Sequence, residues 1–264
     1  MSEGAPDISI AALVAALMLL VIPIGFSLWF RLGLVKETII SIIRMSLQLL
    51  AAGLLLKFLF VFDRAWLNLI WLLVMMLAAA LTTVQKSQLR LRSVLAPVFI
   101  ATFVSTLTIT LYFNSCVVRL ENMFEARYLV VIGGMVLGNV LSGNIVSLTH
   151  FFSSLRDHEE RYLYFIGNGA TMREALRPFF RESLIRASKP MLASMATMGI
   201  VALPGMMTGQ MLGGSTPLVA IKYQIAIMLA IFSTQIFGMS LGVLLSYRTA
   251  FNDYGVLRRE VFAK

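Results

Sequence analysis

The residues able to do chemistry in this chain are few, and none of them forms a catalytic set. The two histidines, His150 and His158, and the single cysteine, Cys116, stand without partners at ligand spacing. No HxxxH, CxxC or carboxylate cluster falls inside an apolar run, so no metal centre and no catalytic residue is assigned. There is also no Gly-x-x-x-x-Gly-Lys-Ser/Thr loop, so any use of ATP would need another polypeptide. What remains is a small group of polar and thioether residues embedded in apolar sequence. Arg44 and Gln48 stand one helical turn apart, and an ionisable residue at membrane depth must face protein, water or head groups. Asn139 sits in a glycine-rich run with Asn144, suited either to lining a path or to hydrogen bonding between packed helices. In Leu203-Pro204-Gly205-Met206-Met207 the proline and glycine can break a helix and free carbonyls to line a cavity. The thioethers of Met206, Met207 and Met211 suit soft ions such as Cu(I) and are poor sole ligands for iron, while flexible packing is their plainer use. Arg44, Gln48, Asn139, Pro204, Gly205, Met206 and Met207 are therefore the candidate pathway residues.

A second group lies in the one long polar excursion, about residues 153–189. Gly169, Ala170 and Thr171 form a turn, and Thr171 with Glu174 makes a T-x-x-E capping box at the start of a helix. Met172, Ala175, Leu176, Phe179, Phe180 and Leu184 follow as one apolar stripe of helical period. Arg173, Arg177 and Arg181 form a basic row on another face, and Pro178 is deep enough to predict a kink or break. Two uses stay open. The helix can lie on the membrane with its arginines on anionic lipid, or it can dock into a soluble partner that drives the membrane helices.

The elements that position these residues follow from composition. Apolar residues are 59% of the 264 and charged residues 13%, half the charged share of a soluble domain. Seven apolar runs approach the ~20 residues that cross a bilayer, at about 8–30, 38–62, 65–84, 94–113, 128–152, 190–212 and 219–247. The expected fold is all-α and polytopic: one transmembrane domain over 1–264, about seven spans and one cytoplasmic amphipathic helix. Glu3 and Asp7 replace the basic start of a signal peptide, so the first run reads as a retained span. Sixteen of the 22 basic residues fall on the side of the polar excursion and five on the other, which predicts an outside N-terminus and a cytoplasmic C-terminus. The net charge of +9 thus reflects topology, and no nucleic-acid partner is inferred. One cysteine allows no intrachain disulfide, and Cys116 reads as a small apolar filler.

Gly169-Ala170-Thr171 followed by an amphipathic helix resembles the coupling segment of ABC-transporter permeases. The run Gly199–Gly214, the run Ala220–Met228 and the Gly-Met-x-x-Gly-Asn pattern from Gly134 to Asn139 resemble the FetB-type permeases linked to bacterial iron export. That resemblance implies a homodimeric permease in the bacterial inner membrane, paired with a separate ABC ATPase that binds ATP and Mg. The chain itself would bind no cofactor and catalyse no reaction. Gly169, Ala170, Thr171, Glu174 and Arg177 would meet the ATPase, and the cargo would be iron or another metal ion. An organic cargo such as a nucleotide sugar, a secondary transporter and a membrane scaffold are the alternatives.

Overall fold

A computed structural model describes residues 8–252 and 255–262; Glu3, Asp7 and Lys264, which entered the charge reading, lie outside them. The protein is an all-α, polytopic membrane protein, as its composition requires: in hydrocarbon each backbone N–H and C=O must be paired within its own segment. The helices are α1 (Ile10–Leu17), α2 (Val21–Trp29), α3 (Val35–Phe62), α4 (Ala65–Lys86), α5 (Leu91–Tyr112), α6 (Ala126–Asp157), α7 (Glu159–Gly167), α8 (Met172–Thr197), α9 (Gly205–Leu212) and α10 (Pro217–Ala250). A 3₁₀ turn joins α1 to α2, and a π turn, Phe113–Val117, extends α5. Among the described residues six helical segments are long and apolar enough to cross a membrane: Ala11–Trp29, α3, α4, α5 with its π turn, α6 and α10.

The seventh expected run, 190–212, is not one helix. α8 begins at Thr171 in the polar excursion and continues through both Pro178 and Pro190 to Thr197, so the break expected near Pro178 does not occur. Each proline removes one backbone hydrogen bond. Ala175, Leu176 and Phe179 around Pro178, and Ala187, Ser188 and Met191 around Pro190, are buried and hold the helix against its neighbours. The chain leaves helical geometry only after Thr197. Gly199 takes φ +84° and its N–H donates to the Ala202 carbonyl at 2.9 Å, closing a tight loop before Pro204 caps α9.

α5, α6 and α10 pack together at the centre, with α4 against α5 and α6, and α8 against α6 and α10. The close approach of α6 and α10 needs Gly143, because a Cβ there would fall 2.5 Å from the Gln235 side-chain nitrogen. That nitrogen donates to the Ala187 carbonyl of α8 at 3.3 Å, so the three helices meet at one level. α3 diverges from this bundle and joins it at its far end, where Leu59 packs on Ala126 and Val130. Asp63, which ends α3, accepts from the Ala126 N–H at 2.8 Å and from the Asn68 amide at 3.1 Å, capping α6 from another helix. Cys116 is exposed in the π turn rather than filling a gap, because the wider turn carries it off the packed face.

At the opposite end Phe151, Phe152 and Leu155 of α6 join Leu176 and Phe179 of α8, Val243 of α10 and Tyr162 of α7 in one buried cluster. The C-terminal segment folds over it. Arg90 N–H donates to the Val261 carbonyl at 2.7 Å, and the Tyr162 hydroxyl donates to the Gly255 carbonyl at 2.7 Å. This segment ties the α4–α5 turn to α7 and so fixes the platform from which α8 starts.

Candidate coupling face and membrane pathway

The turn between α7 and α8 is exposed and tightly determined. Gly169 has φ +87°, and its N–H and that of Ala170 donate to the Ile166 and Phe165 carbonyls at 3.0 Å each, ending α7. The capping box inferred from T-x-x-E is present in full. Thr171 Oγ1 accepts from the Glu174 N–H at 3.4 Å, and the Thr171 N–H and hydroxyl both donate to Glu174 Oε2, at 2.8 and 2.7 Å. The Thr171 hydroxyl first, and its backbone N–H second, hold the Glu174 carboxyl below its ordinary range.

The apolar stripe of α8 faces inward. Ala175, Leu176 and Phe179 are buried in the cluster of α6, α7 and α10, burial worth about 1.5–3 kcal/mol for each of the larger two. Met172, Phe180 and Leu184 of the same stripe are half-buried, and Leu176 and Phe180 line an apolar hollow against α10. The outward surface is polar: Thr171, Arg173, Glu174, Arg177 and Arg181 are exposed. Arg177 lines two adjoining hollows. One, of about 590 Å³, includes Arg161, Arg181 and Glu182; the other, of about 500 Å³, includes Phe151, Leu244 and Arg248. Glu182 accepts from Arg186 at 2.9 Å, and His150 lies 3.8 Å from the same carboxylate.

The candidate pathway residues do not converge on one place. Pro204 caps α9, Gly205 opens it, and Pro204 and Met207 line a pocket of about 410 Å³ between the ends of α8, α9 and α10. Met206 turns the other way and packs against the cluster of Ile132, Ile227 and Ile231. Asn139 is exposed on α6 and bonds its own helix, to the Met135 carbonyl at 2.9 Å. Arg44 and Gln48 are exposed on α3, do not line the pocket, and have no hydrogen bond or ion pair among the described residues. His, Cys, Asp and Glu form no group of three that could hold a metal among the described residues.

Sequence reasoning undervalued Asn144. It is 1% exposed, neither its amide oxygen nor its nitrogen has a partner, and its oxygen lies near Gly242 of α10. Thr102, Thr106 and Thr110 of α5, Ser147 of α6 and Ser246 of α10 are likewise buried with unpaired hydroxyls. Leaving such groups dry costs about 1–3 kcal/mol each, so this interior is polar by design of the sequence. Helical phase distinguishes Asn144 from Asn139: five residues apart, they point to different faces.

The model of the uncharacterised protein family UPF0014 matches residues 10–251. The chain belongs to the UPF0014 family. Similar proteins include the probable iron export permease protein FetB of Escherichia coli (strain K12), 29% identical over 94% of each chain. The UPF0014 membrane protein STAR2 of Oryza sativa subsp. japonica is 31% identical over 95% of this chain and 86% of its own. Protein ALUMINUM SENSITIVE 3 of Arabidopsis thaliana is 31% identical over 81% of this chain and 77% of its own. No solved structure matches. This UPF0014 protein is thus an integral membrane protein with a permease among its relatives, and its long α8 places the exposed turn and the pocket at the two ends of one helix.

Proposed function

We propose that this UPF0014 protein is the membrane subunit of an ABC exporter that carries iron or another metal ion out of the bacterial cytoplasm. It works as a homodimer in the inner membrane, with its N-terminus outside and its C-terminus inside. A separate ATPase binds ATP and Mg, and this chain catalyses no covalent step. The observation that carries the reading is α8. From the capped turn at Thr171 to Met195 at the pocket it runs unbroken for about 36 Å. A force on Gly169, Ala170, Thr171, Glu174 and Arg177 is carried along α8 to the helix break that follows Thr197. ATP-driven closure of the ATPases would press the two turns together, and α8 would switch the path between its inward and outward states. The polar outer face of α8 favours a protein partner, since Ala175, Leu176 and Phe179 are already buried and leave only part of the apolar stripe to anchor the helix in lipid.

The test is a pull-down of the tagged protein from gently solubilised membranes, with bound proteins identified by mass spectrometry. An ABC ATPase retained by the wild type and lost from a Gly169→Val/Thr171→Ala variant supports the reading. A folded permease that retains no ATPase refutes it.

A further inference from the structure

The pocket at the α8–α9 break has a composition unlike the rest of the membrane interior. Met195 and Met198, one turn apart near the end of α8, line it together with Met207 of α9 and Met228 of α10. Gln224, one turn before Met228, completes the wall. Gln224 is 7% exposed, its nitrogen lies 3.8 Å from the Met198 sulfur, and its oxygen has no hydrogen-bond partner. Four thioethers from three segments thus face about 410 Å³ of open space beside an unpaired amide oxygen. Met195 and Met228 also pack against the cluster of Ile132, Ile227 and Ile231, so each is braced on one side and borders the open space on the other. No carboxylate, imidazole, thiol or arginine is among the lining residues, so a divalent hard ion would find no charge to offset its dehydration. Thioethers instead favour soft, polarizable monovalent cations, for which neutral ligands suffice.

We propose that this pocket is a binding site for a thiophilic monovalent cation of the Cu(I) and Ag(I) class, held by Met195, Met198, Met207 and Met228, with the Gln224 amide oxygen beside it. As the cargo site of the exporter it rests on the export reading; as a binding site of this chain it does not. It lies at the far end of α8 from the coupling turn, where displacement of the helix would alter the spacing of Met195 and Met198 relative to Met207 and Met228.

The experiment uses the purified full chain in detergent and chloride-free buffer, on a Cys116→Ser background because that exposed thiol would itself bind the probe. Ag(I), which is redox-inert, is titrated calorimetrically. The site variant carries Met195→Leu, Met207→Leu and Met228→Leu, swaps that conserve volume. A control carries Met45→Leu, Met75→Leu and Met123→Leu, removing equally many thioethers elsewhere. The expected result is one Ag(I) bound per chain by wild type and control, with loss of that event from the site variant and about 10-fold weakening by Gln224→Leu. Equal binding by site variant and control overturns the proposal, as does displacement of Ag(I) by stoichiometric Fe(II) or Zn(II). A site variant whose melting temperature falls while the control's does not is replaced by the Met207→Leu single variant, judged by the same criterion. Because no ATPase is present, a negative result here leaves the pull-down untouched, and a failed pull-down leaves this binding untouched.

Discussion

Substitution of Gly169 offers a graded test of the coupling turn, because the structure isolates one cause. The residue has φ +87°, and a Cβ added there would meet nothing within 4 Å. Steric clash with neighbours therefore contributes nothing, and the cost is backbone conformation alone. An L-residue held on the left-handed side loses about 1–2 kcal/mol. Asparagine tolerates that region better than alanine, and a β-branched residue tolerates it worst. The series Gly169→Asn, Gly169→Ala, Gly169→Val should weaken the turn in that order. A loss of 1–2 kcal/mol corresponds to a factor of about 5–30 in the fraction of molecules with the turn formed. Membrane insertion and the melting of the bundle should stay near wild type, since the buried cluster under α8 is untouched. Affinity for the ATPase, measured by surface capture of the purified permease, should fall in step with the series. Equal affinities for the asparagine and valine variants would refute the reasoning. So would a valine variant that lowers the melting temperature as much as a core truncation, because the turn would then be structural rather than a contact.

Three further outcomes follow from neighbouring features. The Glu174 carboxyl titrates lower in the folded cap than in an unfolded chain, so its contribution is present above the unfolded value and lost as pH falls through the folded one. ATPase capture should accordingly weaken at pH values below the usual carboxylate range, and Glu174→Gln, which still caps but does not titrate, should remove that dependence. Tyr162→Phe deletes the part-buried hydrogen bond to the Gly255 carbonyl and should cost about 0.5–1.5 kcal/mol, read as lower thermal stability and faster proteolysis of the C-terminal segment; an unchanged melting curve would remove that segment from the platform. Pro204→Ala frees φ at the cap of α9 and trims a half-buried ring at the pocket wall, so transport in reconstituted vesicles should fall more than assembly does, whereas full transport would separate the bend from the mechanism.

Much of this architecture is legible in the sequence. The T-x-x-E spacing announced the capping box atom for atom, and the inward stripe of α8 was visible in the 3.6-residue rhythm of Ala175, Leu176 and Phe179. Proline was the misleading signal. Pro178 and Pro190 reside inside a continuous helix, because buried neighbours on both sides outweigh the lost hydrogen bonds, while Pro204 does coincide with a break that Gly199 initiates. The pathway residues were harder to place for a different reason. Met207 was identified from its local run, yet Met195, Met198, Gln224 and Met228 reach the same pocket from other segments, and only tertiary packing brings them together. The one clue in sequence was the helical spacing within each pair: Met195 with Met198, and Gln224 with Met228. Arg44 and Gln48 remain on α3, whose divergence from the bundle no local pattern encodes.

The central claim is that α8 transmits events at the Thr171 turn to the break at its other end. Ile200, in that break, is 90% exposed, so Ile200→Cys on a Cys116→Ser background gives a single reporter thiol. Its rate of labelling by a membrane-impermeant maleimide is measured in vesicles containing the permease and its co-purified ATPase. The account predicts that the rate changes between nucleotide-free and ATP-bound states, and that Gly169→Val abolishes the change. A rate indifferent to nucleotide while the bound ATPase turns over would contradict it.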